Sequence, residues 1–103
     1  MLENTVEEIL TSWANGTKKT AYYYDNGQTV GYRYWDEDGH LSMEYQIKHD
    51  KMHGAFRTRH DRGTIEHETA YFEGKEHGIS TQYDADGRSI GTYEMNFGTG
   101  VDL

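Results

Sequence analysis

The sequence contains no cysteine and no proline. Without cysteine, neither disulfides nor thiolate metal sites can form, and thiol chemistry gives no hint of a redox compartment. Without proline, every residue between turns keeps the backbone N–H that a continuous strand ladder requires. Long apolar runs are missing too: no stretch approaches the roughly 20 apolar residues of a membrane span, and no apolar signal segment opens the chain. A cytoplasmic location is therefore expected. Apolar residues are scarce in general, at 34%, and mean hydropathy is −1.00. A single domain of 103 residues buries only about two thirds of its unfolded surface. This composition argues against a thick two-layer core and for a thin sheet. Nine tyrosines, against three phenylalanines and two tryptophans, suit such a sheet, because tyrosine packs its ring and keeps its hydroxyl wet. Basic residues are few, 10 against 18 acidic, for a net charge of −8. Nucleic acid and anionic membranes are thereby disfavoured as partners, since affinity for either depends on cationic side chains meeting phosphate.

What the chain does have is an internal repeat. Gly39, Gly63 and Gly87 recur at intervals of 24 residues in near-identical surroundings, and Gly16 precedes Gly39 by 23. The units run 15–37, 38–60, 61–85 and a partial 86–103, and a fixed period of this length signals a repeat architecture. A second glycine follows 15 residues after the first in each complete unit, at Gly31, Gly54 and Gly78. Ahead of it stand the related turns NGQTVG (26–31), HDKMHG (49–54) and EGKEHG (73–78). Asn26-Gly27 is a strong tight-hairpin signal. In the second unit Asp50 replaces the glycine, and Asp tolerates the left-handed backbone region better than most residues.

Turns near residues 16, 27, 39, 50, 63, 74, 87 and 98 leave room for strands of about 5–9 residues. Leu41, Met43, Tyr45 and Ile47 alternate with Ser42, Glu44, Gln46 and Lys48, a period of two that marks a strand. The same alternation predicts that Glu66 and Glu68 project from one face of their strand. The chain is expected to stop before the second strand of the last unit can form. The predicted fold is mainly all-β: a single-layer antiparallel meander of hairpin repeats with exposed edge strands, through which a homodimer is an open expectation.

These residues resemble the variant MORN repeat of bacterial toxin–antitoxin and immunity proteins. The resemblance covers about residues 15–98 and rests on Asp/Asn-Gly, a polar-apolar alternation ending in tyrosines, then Gly-Lys-x-x-Gly and a second aromatic strand; NGTKKTAYYYDNGQTVGYRYW in 15–37 is the nearest match.

Residues 1–14 do not belong to the repeat. Asn4 or Thr5 as N-cap, Glu8 at capping-box spacing and Val6, Ile9 and Leu10 at helical intervals predict a short capping helix, with Trp13 locking it over the first strand. The domain reading is thus a capping helix over 1–14 and a MORN-like repeat domain over 15–103.

No catalytic, metal or cofactor site is expected. His-Glu-x-x-His, Gly-x-Ser-x-Gly and the phosphate loop with lysine are all missing. Of six histidines, His53 and His77 occupy equivalent repeat positions, as a structural signature does. The sharper candidates are for contact with a partner: Tyr34, Trp35 and Tyr83 on the second strands, with Glu44, Glu66, Glu68, Asp36 and Glu37 as acidic neighbours. Tyr and Trp are enriched at binding hot spots, and negative charge steers basic proteins. The resemblance implies an immunity or antitoxin-like protein that occludes a cognate basic toxin, for example a nuclease. The alternative is a general protein-interaction scaffold without enzymatic activity.

Overall fold

The computed structural model describes residues 5–97 and 99–102, the last four as backbone. They form one antiparallel sheet of ten strand segments: β1 (Val6–Ser12), β2 (Lys18–Asp25), β3 (Gln28–Trp35), β4 (Leu41–Lys48), β5 (Lys51–Arg59), β6 (Ile65–Phe72), β7 (Lys75–Glu76), β8 (Gly78–Tyr83), β9 (Ser89–Asn96) and β10 (Thr99–Asp102). The two-residue β7 and the longer β8 both pair with β6, as two parts of one strand interrupted at His77. All other strands follow sequence order, so the sheet is a meander. Elements pack in quantity only against their sheet neighbours, and among the described residues no second layer covers either face.

Two kinds of turn alternate, as the glycine pattern requires. The long turns place Gly16, Gly39, Gly63 and Gly87 at φ of 91°, 89°, 92° and 86°, conformations that a side chain disfavours. In each, a glycine N–H closes the turn onto Trp13, Asp36, His60 or Asp84. The short turns put both central residues at positive φ: Asn26 and Gly27 at 50° and 79°, Glu73 and Gly74 at 50° and 87°, His49 and Asp50 at 53° and 62°. That is the turn whose twist suits a two-residue hairpin. The second hairpin builds it with no glycine, and Asp50 takes the left-handed conformation expected of it.

A further periodic device lies in the ladder itself. At the start of the first strand of each unit one residue is skipped by the pairing: Lys19, Ser42, Glu66 and Ile90 in turn. These β-bulges re-aim the skipped side chain and sharpen the local twist.

Two expectations are corrected. The helix foreseen over 1–14 is absent over its described part, where Val6–Ser12 is strand β1, paired antiparallel with β2 from Val6↔Tyr24 to Ser12↔Lys18; residues 1–4 lie outside the described residues. A helix this short is marginal on propensity alone. The free backbone edge of β2 offers a full ladder instead, and β-branched Val6, Ile9 and Thr11 fit a strand. Trp13 does not lock a helix; its indole N–H donates to the Trp35 carbonyl at 3.0 Å and its ring meets Tyr34 edge-on. The other correction is at the far end. The second strand of the last unit does form, as β10, from Thr99↔Asn96 to Asp102↔Tyr93. Second strands begin 12 residues after each first glycine, at Gln28, Lys51, Lys75 and Thr99, well before the position where the second glycine stands.

The buried apolar core is small: Ala21, Tyr23 and Trp35, with Val30 and Leu41 packed against it. No described helix is long and apolar enough to cross a membrane.

Candidate functional site

Pairing registers sort the central side chains onto two faces of different chemistry. On one face the rung Tyr22↔Tyr32↔Tyr45↔Phe56↔Thr69 crosses five strands. Ring centroids are 5.7 Å apart for Tyr22–Tyr32, 5.0 Å for Tyr32–Tyr45, 6.1 Å for Tyr45–Phe56 and 5.7 Å for Phe56–Tyr71. The two central pairs are stacked, at 26° and 21°. These rings stand against one another across the strands. Each is half-buried, and burial raises the pKa of Tyr32, Tyr45 and Tyr71. The ladder is thus the principal packing of this face and also its exposed surface.

The next rung points to the opposite face and reads Ala21↔Arg33↔Glu44↔Arg57↔Glu68↔Thr81. Opposite charges face each other across successive strands, the favourable arrangement for a cross-strand pair. Glu44 is 3% exposed and lies 2.7 Å from an Arg59 guanidinium nitrogen and 3.6 Å from one of Arg33. Arg57 Nε donates to Glu68 at 2.6 Å. Towards β1, the Tyr23 hydroxyl donates to the Glu7 carboxylate, which also accepts from Lys18 Nζ at 3.0 Å. Burial, then the Glu7 contact, pushes the Tyr23 pKa up to about 12, and the same hydroxyl holds Glu7 below its ordinary value. Lys18 lies over the Trp35 ring at 4.2 Å and Arg33 over Tyr23 at 5.0 Å.

The eight residues expected to meet a partner are dispersed by this geometry. Trp35 at 7% exposure and Glu44 at 3% are buried, Trp35 in the core beneath Lys18 and Glu44 between two arginines, so neither is presented to a partner. Aromatic identity does not reveal that Lys18 covers the Trp35 ring from another strand, and Glu44 looked free only because its two arginines lie on other strands. Tyr34 is half-buried on the aromatic face beside Trp13. Glu68 is tied to Arg57 on the ionic face. Glu66, the skipped residue of the third bulge, accepts from the Thr58 hydroxyl at 3.3 Å and lies 3.7 Å from His60 Nδ1. Thr58 pairs with Met43 on the aromatic side, so the bulge separates Glu66 from Glu68 and the expectation of one shared face fails. Tyr83 supplies its carbonyl to His60 at 2.9 Å. Asp36 and Glu37 sit in the second long turn, where Asp36 Oδ1 accepts from the N–H groups of Asp38 and His40; these bonds lower its pKa. Asp36, Asp38 and His40 bring three donor atoms within 4.8 Å of one another. Asp84 makes the same turn with Arg88 in place of His40, so the cluster follows from the turn itself.

One surface escaped the sequence reading. His53, Phe72, His77 and Phe97 are in ring contact in series at the short-turn end, with His77 and Phe97 stacked at 4.2 Å between centroids and the other two pairs tilted, and Phe72 and Phe97 are 47% and 52% exposed. Strand alternation sets Phe72 on the side opposite Tyr71. The signal was present as His53-Gly54 and His77-Gly78 at repeat spacing, without the partners that the fold supplies.

No family model matches the chain, and no curated protein matches it. Among solved structures it is similar to TarM, at 19% identity and a TM-score of 0.47, and to a mutant of S. aureus TarM in complex with fondaparinux, alpha-GlcNAc-glycerol and UDP, at 18% and 0.47. Each match covers 98% of this chain; the chain spans 21% and 22% of the length of those proteins.

Proposed function

We propose that this chain is a protein-binding sheet that meets its partner through the aromatic face, and that the partner is a basic protein. The observation that carries this reading is the ladder from Tyr22 to Tyr71, half-buried and covered by no second layer among the described residues. Stacked tyrosines offer large, rigid contact area with few rotamers to freeze, together with a row of hydroxyls. The basic partner follows from charge. The long turns 36–40, 60–64 and 84–88 hold Asp36, Glu37, Asp38, Asp61, Asp84 and Asp86 against Arg62 and Arg88, an acidic rim on a chain of net charge −8. Such a rim steers a cationic surface towards the sheet. With the variant MORN resemblance, the specific form of the reading is an immunity or antitoxin-like protein that occludes a toxin whose own site expects phosphate. It acts by covering a surface rather than by catalysis.

The test is affinity capture from source-cell lysate with the native chain, Tyr45→Ala and Phe72→Ser in parallel, followed by a salt titration. A single basic protein retained by the native chain and by Phe72→Ser, lost with Tyr45→Ala and released as salt rises, supports the reading. Retention of several unrelated proteins points to a scaffold module. Loss with Phe72→Ser alone moves the contact to the opposite face and overturns the assignment.

A further inference from the structure

Two successive bulges leave an open cleft across the third repeat unit, on the aromatic side, of about 490 Å³, lined by Thr58 and His60 of the second unit, Glu66, His67 and Gln82 of the third and Ile90 of the fourth. Glu66 and Ile90 are the skipped residues of the third and fourth bulges. The bulges therefore build the cleft, turning into it side chains that strict alternation would send to the other face.

Its chemistry is that of acceptors. A carbonyl oxygen can only accept, so the 2.9 Å contact of His60 Nε2 with the Tyr83 carbonyl makes Nε2 the N–H donor. Nδ1 of the same ring stands 3.7 Å from Glu66 Oε2, a contact that is an ion pair only when the ring carries its second proton. The Thr58 hydroxyl spends its proton on Glu66 at 3.3 Å. The remaining lone pairs of Thr58 add acceptors, and the Gln82 amide, which also lines the cleft, carries one acceptor oxygen beside its N–H donors. Among the other strand glutamates, Glu7 is paired with Lys18, Glu44 with Arg33 and Arg59, and Glu68 with Arg57, while Glu8 and Glu76 accept from the hydroxyls of Tyr24 and Tyr71. Glu66 has no lysine or arginine in ion pair among the described residues, and its side chain is 55% exposed.

We propose that this cleft receives the guanidinium of an arginine side chain from the partner protein, an inference that rests on the protein-binding reading above. A carboxylate paired with no lysine or arginine and neighbouring oxygens match a planar cation with five N–H donors. The exposed Ile90 side chain, at 66%, flanks the site as an apolar wall for the weakly hydrated guanidinium plane.

The test is a titration of isotopically labelled protein with N-acetyl-arginine amide, followed by amide and side-chain NMR, with N-acetyl-lysine amide as the comparison. Expected are saturable shifts confined to residues around Glu66, His60 and Gln82, stronger for arginine than for lysine. Glu66→Gln should weaken arginine binding roughly tenfold, the size of a lost charge-assisted pair; Gln82→Ala, at a site 24 residues of repeat away from Thr58, should weaken it less while the far-UV spectrum stays native. Shifts that are diffuse, equal for arginine and lysine, or unaltered in Glu66→Gln overturn the proposal. If the cleft fails in this way while Tyr45→Ala still abolishes capture, the protein-binding reading stands without the arginine site. If capture survives Tyr45→Ala and the arginine shifts persist, the wider reading fails instead.

Discussion

Replacing Glu44 by Gln is the substitution whose cost the structure specifies most closely. The carboxylate is 3% exposed and lies 2.7 Å from Arg59 and 3.6 Å from Arg33. Gln keeps the volume and one acceptor oxygen but removes the charge, leaving two guanidinium groups facing each other across it. Breaking a fully buried pair costs about 3–5 kcal/mol. Here the arginine side chains keep 28% and 23% of their surface exposed, so water recovers part of that. Their Nε atoms are already buried without a hydrogen-bond partner, so losing the carboxylate charge leaves each guanidinium less well matched. The two effects together place the loss near 2–3 kcal/mol, a large share of the roughly 5–15 kcal/mol that holds a domain folded. Urea unfolding followed by circular dichroism measures it. With a slope of about 1–2 kcal/mol per molar for a chain of this size, the midpoint should fall by about 1–3 M. Glu66→Gln, on an exposed side chain, should lower the stability by less than about 0.5 kcal/mol. Equal midpoints for the two variants would refute the claim that Glu44 is a buried linchpin of the ionic face.

The backbone and the β1–β2 pair give further expectations. Asp50→Gly should stabilise by about 0.5–1 kcal/mol in thermal unfolding, because Asp50 sits at φ 62°, which Asp tolerates but glycine adopts without strain; a lower melting temperature would show that the Asp side chain itself supports the turn. Gly54→Ala should cost about 2–3 kcal/mol, since φ is 96° and an added Cβ would lie 2.4 Å from Gln46 Oε1, the atom that accepts the Ala55 N–H at 2.9 Å. For pH, Glu7 is lowered in the fold, so its contribution is present above the unfolded carboxyl pKa and is lost as pH falls through the folded one. Tyr23 is raised to about 12, so its contribution is present below the ordinary tyrosine value and is lost as pH rises from there towards about 12. Glu7→Gln should flatten the acid decline and lower the Tyr23 value in an ultraviolet titration of the phenolates; an unchanged titration would remove the Glu7–Tyr23 contact from the account.

Much of the fold was written in the glycines. The long-turn and short-turn positions, the hairpin at Asn26-Gly27 and the left-handed Asp50 all follow from the conformations those residues allow, and the structure has turns at these places. What local pattern could not carry was pairing. Residues 6–12 have helical spacing, yet the open edge of β2 made them a strand, because the ladder bonds come from a neighbour rather than from the segment. The bulges at Lys19, Ser42, Glu66 and Ile90 are likewise a property of two strands together. For that reason Glu66 and Glu68, two apart in sequence, part company. The candidate contact residues fared unevenly for the same cause: Tyr34 was found on the aromatic face, while Trp35 and Glu44 were drawn into the interior by Lys18, Arg33 and Arg59 from other strands. Tyr22, Tyr32, Tyr45 and Phe56 form a ladder only once register sets them opposite one another.

The central claim is that the aromatic face is the contact surface, and hydroxyl-radical footprinting of the free chain against the chain bound to its captured partner tests it most directly. The account predicts that Tyr32, Tyr45 and Tyr71 are oxidised in the free protein and protected in the complex, while Phe72 and Phe97 react alike in both. Protection of Phe72 and Phe97 with unchanged labelling of the tyrosine ladder would contradict it.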